Sequence, residues 1–439
     1  MDQSQEDVLS ADVVVVQEAS FLLSQNDDSA SSVGEPFEQG GASHGGVDSW
    51  GRLYLGGSPS HDRPAHGLLR LQHRSPSFSS RHGPDVAGAG RWHDATSESP
   101  DAGLRGYCRA VATNPLLQLP SIMDDLERVE EGLRVATRTD DDLLTDIAGH
   151  LVLAGGKRLR PGFCIAAAAC HERGEAAATD DVVLGGVSVE LVHLGSLYHD
   201  DVMDEAATRR NVVSVNARWG NLKAILGGDF LLAKASEIAA GLGTEVAGLL
   251  AATIGRLCEG QVRELRNVFD VARSEDAYLS AIRGKTAALF ASSCRIGALV
   301  AGHPRPLVDR LTTFGELYGM AFQVVDDVLD VVATEEQLGK PVGNDLVTGV
   351  YTLPVIRMLS TEHGGGLRRV LGQPLDPAQM ESARGMVRAN GAVAGAVDTA
   401  RDYVEEALVA LEPVAVTPGG QALRSAGEQL LLSIPAAVA

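Results

Sequence analysis

The chain has 439 residues, a formal net charge of −21, a hydrophobic fraction of 44% and an aromatic fraction of 4%. The acid excess argues against nucleic acid as a partner, because a phosphate backbone calls for a basic face. Abundant Ala, Leu, Val and Gly with few aromatics favour helices packed through small side chains over an aromatic-rich β-sandwich, in one large domain or two to three ordinary ones.

In chain order, Met1 to Asp7 carries neither the basic start nor the apolar core of a signal peptide, and none is expected. Residues 24–105 are rich in Ser, Gly, Pro, Asp and His without helical or strand periodicity and read as disordered, and only Val13 to Leu23 offers a short local element. His44, His61, His66, His73, His82 and His93 are spaced too irregularly there for a metal site. Composition changes near residue 110, which divides the chain into an extension, 1–110, and a folded domain, 111–439. From about residue 113 the pattern is helical. Asp140-Asp141-Asp142 caps a helix over 143–153, and Gly155-Gly156 ends it. Further helices are predicted over 161–172, 180–205, 214–219, 223–241, 245–266, 275–301, 305–332, 350–360, 377–389 and 391–412. Strand-like alternation is absent, so the fold class is all-α. No uninterrupted apolar run reaches about 18 residues, so no membrane-spanning anchor is predicted. Cys108, Cys164, Cys170, Cys258 and Cys294 form no C-x-x-C pair, which fits a reducing compartment and a cytoplasmic location.

Two helical segments carry the chemistry. His199-Asp200-Asp201-Val202-Met203-Asp204 and Gln323-Val324-Val325-Asp326-Asp327-Val328-Leu329-Asp330 each hold Asp-Asp-x-x-Asp. The first and third aspartates lie one turn apart on one face, with the second about 100° round. Carboxylates gathered in one cavity repel unless cations sit between them. Oxygen-only ligands point to Mg²⁺, which keeps waters and completes its shell with phosphates. A solvated helix face explains one such motif; it does not explain two flanked by Val, Leu, Met and Phe.

Basic groups accompany them. Gly155-Gly156-Lys157-Arg158-Leu159-Arg160-Pro161 is not a P-loop, since Leu151 and Arg158 stand where that motif needs Gly and Ser/Thr. Gly284-Lys285-Thr286 fails in the same way at Leu279. A Gly-Gly turn with three cations still suits a phosphate, although a solvated helix end is the simpler reading of it alone. Arg209 and Arg210 follow Asp204, and His193 lies two turns before Asp200 on the same face.

Together these residues resemble the trans-isoprenyl diphosphate synthase (polyprenyl synthetase) family over residues 113–412. The resemblance rests on Gly-Gly-Lys157-Arg-Leu-Arg160-Pro, on His193 to Arg210, on Gly284-Lys285-Thr286, and on Phe322-Gln323 with Asp326-Asp327-Val-Leu-Asp330. Gly339-Lys340-Pro341-x-Gly343-x-Asp345-Leu346 and Thr352-Leu353-Pro354 extend it. It implies an isoprenoid synthase-type helical bundle with a central cavity, as a homodimer, that condenses isopentenyl diphosphate with an allylic diphosphate. It assigns Mg²⁺ to Asp200, Asp201, Asp204, Asp326, Asp327 and Asp330. Arg209, Lys285, Thr286, Gln323 and Lys340 would contact the allylic diphosphate, and Lys157, Arg160, His193 and Arg210 the isopentenyl diphosphate. Gly195 and Ser196, one turn deeper than Asp200, are small where large aromatics act as a stopper for short products, which implies a linear prenyl product of C20 or longer. Spacing turns Leu197 and Tyr198 off that face.

The chain departs from the pattern at Asn211, in place of Gly, and at Val350, where some members carry a second Lys. Asn tolerates the left-handed backbone such a turn needs. A class I terpene cyclase would need no isopentenyl diphosphate site and would carry a different second metal motif. A regulatory subunit of a heteromeric synthase would lack one acidic motif.

Overall fold

The structure, a computed structural model, describes residues 116–174, 176–334 and 342–435. The N-terminal extension with its histidines and Cys108, the boundary near residue 110, and Lys340 lie outside the described residues.

The described residues are helical almost throughout. Helix α1 spans Ile122–Ala136 and α2 Asp142–Leu153. Asp141 caps α2, accepting the Leu144 N–H at 2.8 Å, as the acid run predicts. Gly155 and Gly156 follow with positive φ and turn the chain into α3, Leu159–Ala168. The long α4, Asp180–Met203, starts at Thr179, whose hydroxyl caps Val182. Helix α4 is apolar on nearly every side, because α1, α3 and the later helices α6 and α9 pack around it. Among the described residues only α4 is long and apolar enough to cross a membrane, but 83% of its apolar window is buried inside the fold. It is a core helix.

A hairpin follows, β1 Thr208–Arg209 against β2 Val212–Val213, antiparallel. Its two-residue turn puts Arg210 at φ 53° and Asn211 at φ 61°, the left-handed pair a tight hairpin requires. Strands of two residues are too short to alternate, so the sequence shows no sign of them. Next come α5 Val215–Trp219, α6 Asn221–Gly241 and α7 Thr244–Leu265.

The helix expected over 275–301 is three pieces: α8 Glu275–Ile282, a π-helical turn Arg283–Ala287, and α9 Ala288–Val300. The turn forms where α7 comes closest, and a Cβ on Gly260 of α7 would run into the backbone of Gly284 and Lys285. Helix α10, Arg305–Val332, carries the second acidic motif and packs on α9 and on α15, Ala392–Ala410. Between them lie α11 Asn344–Thr348, α12 Leu353–Leu359, α13 Gly364–Arg368 and α14 Pro377–Arg388. The last helix, α16, spans Pro418–Leu432 and packs on α3.

One charged cluster sits in the core. Arg158 is 2% exposed; its Nε donates to Glu130 of α1 at 2.5 Å and its Nη1 to Glu190 of α4 at 2.7 Å. Burial alone would weaken the Arg158 cation, but pairing with both carboxylates prevails and its pKa is raised. Arg158 therefore joins α1, α3 and α4 and does not serve a ligand. Replacing it with Leu strands two buried carboxylates, which costs about 3–5 kcal/mol. Urea unfolding of R158L should show that loss, and an unchanged midpoint and slope would contradict this account of the cluster.

Candidate active site

One cavity opens between the ends of α4 and α10. Its walls include Asp200 and Asp204 from α4, Asp327 and Gln323 from α10, Lys285 and Thr286 from the π turn, and Arg160 and His193 on the deeper side. These are residues the motifs predict, brought together from four segments. Lys157, Asp201, Arg209, Arg210, Asp326 and Asp330 are buried around this cavity or in the structure that shapes it.

The basic side is built around Glu190. Arg210 donates through Nη1 to the carbonyl oxygens of Leu151 and Gly155, and its Nη2 lies 3.7 Å from Glu190. The hairpin is thus clamped to the Gly-Gly turn. Burial, relieved by Glu190, lowers the Arg160 pKa to about 10, and burial with repulsion from Arg158 lowers Arg210 to about 10. Burial also pushes the Lys157 ammonium well below its ordinary value. Desolvation would raise Glu190, yet the Arg158, Arg210 and Arg160 guanidiniums hold it below the usual carboxylate range. His193 is driven well below 6.5 first by burial and then by the charges of Arg160 and Arg210, so it is neutral at pH 7. Arg160 also lies over the Phe290 ring, 4.9 Å from its centroid.

The acidic motifs divide their carboxylates between cavity and scaffold. Asp201 is fully buried and accepts from Arg209 Nε at 2.8 Å and Nη2 at 2.7 Å. Both bonds fall on one oxygen of Asp201, and the sequence pattern assigns Asp201 to metal and Arg209 to diphosphate. Asp330 accepts the backbone N–H groups of Gly343 at 3.1 Å and Asp345 at 3.4 Å, tying the end of α10 to the start of α11. Asp327 accepts the Tyr278 hydroxyl and, at 2.9 Å, Gln323 Nε2. Gln323 in turn accepts from Thr286 at 2.7 Å, and Lys285 pairs with Glu264 of α7 at 2.5 Å. A hydrogen-bonded chain thus runs from the π turn to the second acidic motif.

Among the described residues no three His, Cys, Asp or Glu side chains are gathered as a ready-made metal cage. The donors are all oxygen and line facing walls of one cavity, which fits a hard divalent cation that takes a few carboxylates and completes its shell with phosphate and water.

A second, apolar groove leads away from the same wall. It shares Ser196, Asp200 and Lys285 with the cavity and continues along Leu232, Ile254, Leu257 and Val262 of α6 and α7. The two small residues of α4 part company here. Ser196 lines both cavity and groove, but a Cβ on Gly195 would meet the Gly228 carbonyl oxygen at 3.0 Å and Leu232 at 3.1 Å. Gly195 therefore faces the backbone of α6, since successive helical residues point about 100° apart. Leu197, expected off this face, does line the cavity. Tyr198 lies off it, with its hydroxyl on the Ile147 carbonyl at 2.6 Å.

Several lining residues carry no motif: Glu264, Arg273, Tyr278 and Thr348. An acid on the face of α7 opposite Lys285 is a signal a sequence could yield; Arg273, in a turn, offers none.

A model of the polyprenyl synthetase family matches residues 141–387. The chain is 39% identical to heptaprenyl diphosphate synthase component 2 of Geobacillus stearothermophilus over 292 residues, 66% of this chain and 90% of that protein. It is 38% identical to nonaprenyl diphosphate synthase of Mycobacterium tuberculosis over 299 residues, 67% of this chain and 88% of that one. Among solved structures, a polyprenyl synthase from Caulobacter crescentus, complexed with calcium and isoprenyl diphosphate, superposes with a TM-score of 0.67 at 31% identity, covering 73% of this chain and 98% of that one. A decaprenyl diphosphate synthase from Rhodobacter capsulatus gives 0.66 at 30% identity, covering 72% and 97%.

The neutral His193 sets a pH dependence. Above about pH 6.5 the imidazole is neutral folded or unfolded, and its contribution is complete. Below it, the unfolded chain takes up a proton that the folded site refuses. Stability is then lost as pH falls toward the depressed folded value, by up to about 1.4 kcal/mol per pH unit. His193→Gln should flatten the fall in urea midpoint between pH 6.5 and 5, and parallel slopes for parent and variant would exclude this origin.

Proposed function

The chain belongs to the polyprenyl synthetase family, and from that premise we propose that it condenses isopentenyl diphosphate with an allylic diphosphate to give a linear all-trans prenyl diphosphate of C20 or longer. The observation that carries this reading is one cavity with carboxylates of two separate helices on facing walls and Lys285, Arg160 and His193 between them.

Mg²⁺ is the divalent ion assigned here to Asp200, Asp204 and Asp327, with Asp326 beside them, and its chemistry would be to make pyrophosphate a better leaving group. Lys285, Thr286 and Gln323 hold the allylic diphosphate on the α10 side, with Lys340 and Arg209 assigned there by their place in the motifs. As the allylic C–O bond breaks, negative charge grows on the departing diphosphate, and Lys285 faces it from a fixed turn. Lys157, Arg160 and Arg210 hold isopentenyl diphosphate, and neutral His193 offers it a hydrogen bond and no further charge. The isopentenyl double bond attacks the allylic cation, and the released pyrophosphate takes the proton whose loss completes the new double bond. The Leu and Ile walls of the neighbouring groove exclude water from that cation and receive the growing chain.

Leu222, Ile225 and Leu226 recur at helical spacing on α6 and are exposed, which supports a homodimer through this helix. We place the enzyme in the cytoplasm, where buried thiols such as Cys164 and Cys170, each raised to about 12 by burial, stay reduced. The relative named component 2 favours a second reading, in which a partner chain is needed for turnover.

Purified chain incubated with labelled isopentenyl diphosphate, Mg²⁺ and allylic primers of increasing length should yield linear prenyl diphosphates. Activity should fall at least about a hundredfold in D200A and in D327A and disappear when the metal is chelated. Cyclic hydrocarbon in place of elongation would identify a cyclase, and turnover only on adding a second protein would identify a two-component enzyme. Ser196→Phe should shorten the product; an unchanged length distribution would remove Ser196 as a determinant.

A further inference from the structure

Arg273 stands in the turn between α7 and α8, 5% exposed, and lines the cavity with Asp327 and Lys285. One donor is committed: Nη1 donates to the Tyr351 carbonyl at 3.0 Å. Its guanidinium lies over the Tyr278 ring, 5.5 Å from the centroid, and Tyr278 in turn donates to Asp327. Arg273 is thereby held on the second-motif side of the cavity. Nε and Nη2 find no hydrogen-bond partner among the described residues. These two groups present parallel N–H donors along one edge of the guanidinium, the edge that grips carboxylate and phosphate in bidentate fashion. The Thr352 hydroxyl, 4% exposed and lining the same cavity, also has no partner there. Between them Val350 lines the cavity and brings no charge.

A clamp on Tyr351 needs one donor and no charge, so it does not explain a buried cation with an open two-donor edge. Buried donors are nearly always satisfied, and a guanidinium cannot shed its proton to escape the cost. We propose that Arg273 binds substrate directly, its Nε–Nη2 edge gripping a phosphate oxygen of the allylic diphosphate with the Thr352 hydroxyl assisting. The assignment rests on the reading above that an allylic diphosphate occupies this cavity.

The test is calorimetric titration of the full chain with inorganic pyrophosphate in excess Mg²⁺, with steady-state kinetics alongside. In R273Q pyrophosphate binding should weaken about 10- to 100-fold. The KM for the allylic diphosphate should rise in parallel, while that for isopentenyl diphosphate stays within about twofold. T352V should shift the same quantities in the same direction by less. Should R273Q not fold, a crystal structure of the parent with pyrophosphate and Mg²⁺ decides: a phosphate oxygen on Nε or Nη2 supports the assignment, and water alone there overturns it. Parent-like pyrophosphate binding in R273Q overturns it too and reduces Arg273 to a clamp. A parent chain that neither elongates nor binds pyrophosphate overturns the functional reading itself, whereas an elongating parent with an indifferent R273Q sinks only the role of Arg273.

Discussion

Glu190 is a carboxylate on which Arg158, Arg160 and Arg210 all converge, and the basic half of the site depends on it. A buried guanidinium without a counter-charge is costly, and Glu190 offsets that cost where its helix, the Gly-Gly turn and the hairpin meet. Arg158 draws on Glu190 and Glu130 together, so three guanidiniums share two carboxylates. The basic half therefore carries more positive charge than its nearby acids balance. Across the cavity Asp200, Asp204 and Asp327 create the opposite excess. A diphosphate suits the basic half and a cation the acidic one.

The same economy shapes the acidic motifs. In each, one carboxylate holds structure: Asp201 binds Arg209 at the foot of the hairpin, and Asp330 binds the backbone of Gly343 and Asp345. Helix α11, whose start Asp330 holds, and the residues after it bring Asp345, Thr348 and Thr352 to the cavity. A metal motif read as three equivalent ligands thus also ties each long helix to the segment that completes the site.

Long helices were legible because their apolar periodicity and caps repeat over many turns. Helix α10 begins and ends where the pattern places it, and Asp141 caps α2 as its acid run suggests. The hairpin was not legible, since two residues cannot show a period, although Asn211 hinted at its left-handed turn. The π turn is set by a tertiary contact, the approach of Gly260 to Gly284, which a helical pattern over 275–301 does not reveal. In the site, residues inside motifs were legible by type and spacing, but their division of labour was not. Gly195 and Ser196 are equally small in sequence, and only the position of α6 decides which faces the cavity.

That last distinction bears on how chain growth can be bounded. The reacting end of the substrate needs charge, and its tail needs walls that offer a carbocation no nucleophile. The structure separates these demands at Ser196, with the charged cavity on one side and the groove of Leu232, Ile254 and Leu257 on the other. Bulk at position 195 would press on the Gly228 carbonyl and on Leu232 of α6, whereas bulk at 196 would enter the cavity and groove that Ser196 lines. The low aromatic content follows the same logic, since the aliphatic Leu232, Ile254 and Leu257 offer a cation nothing to react with.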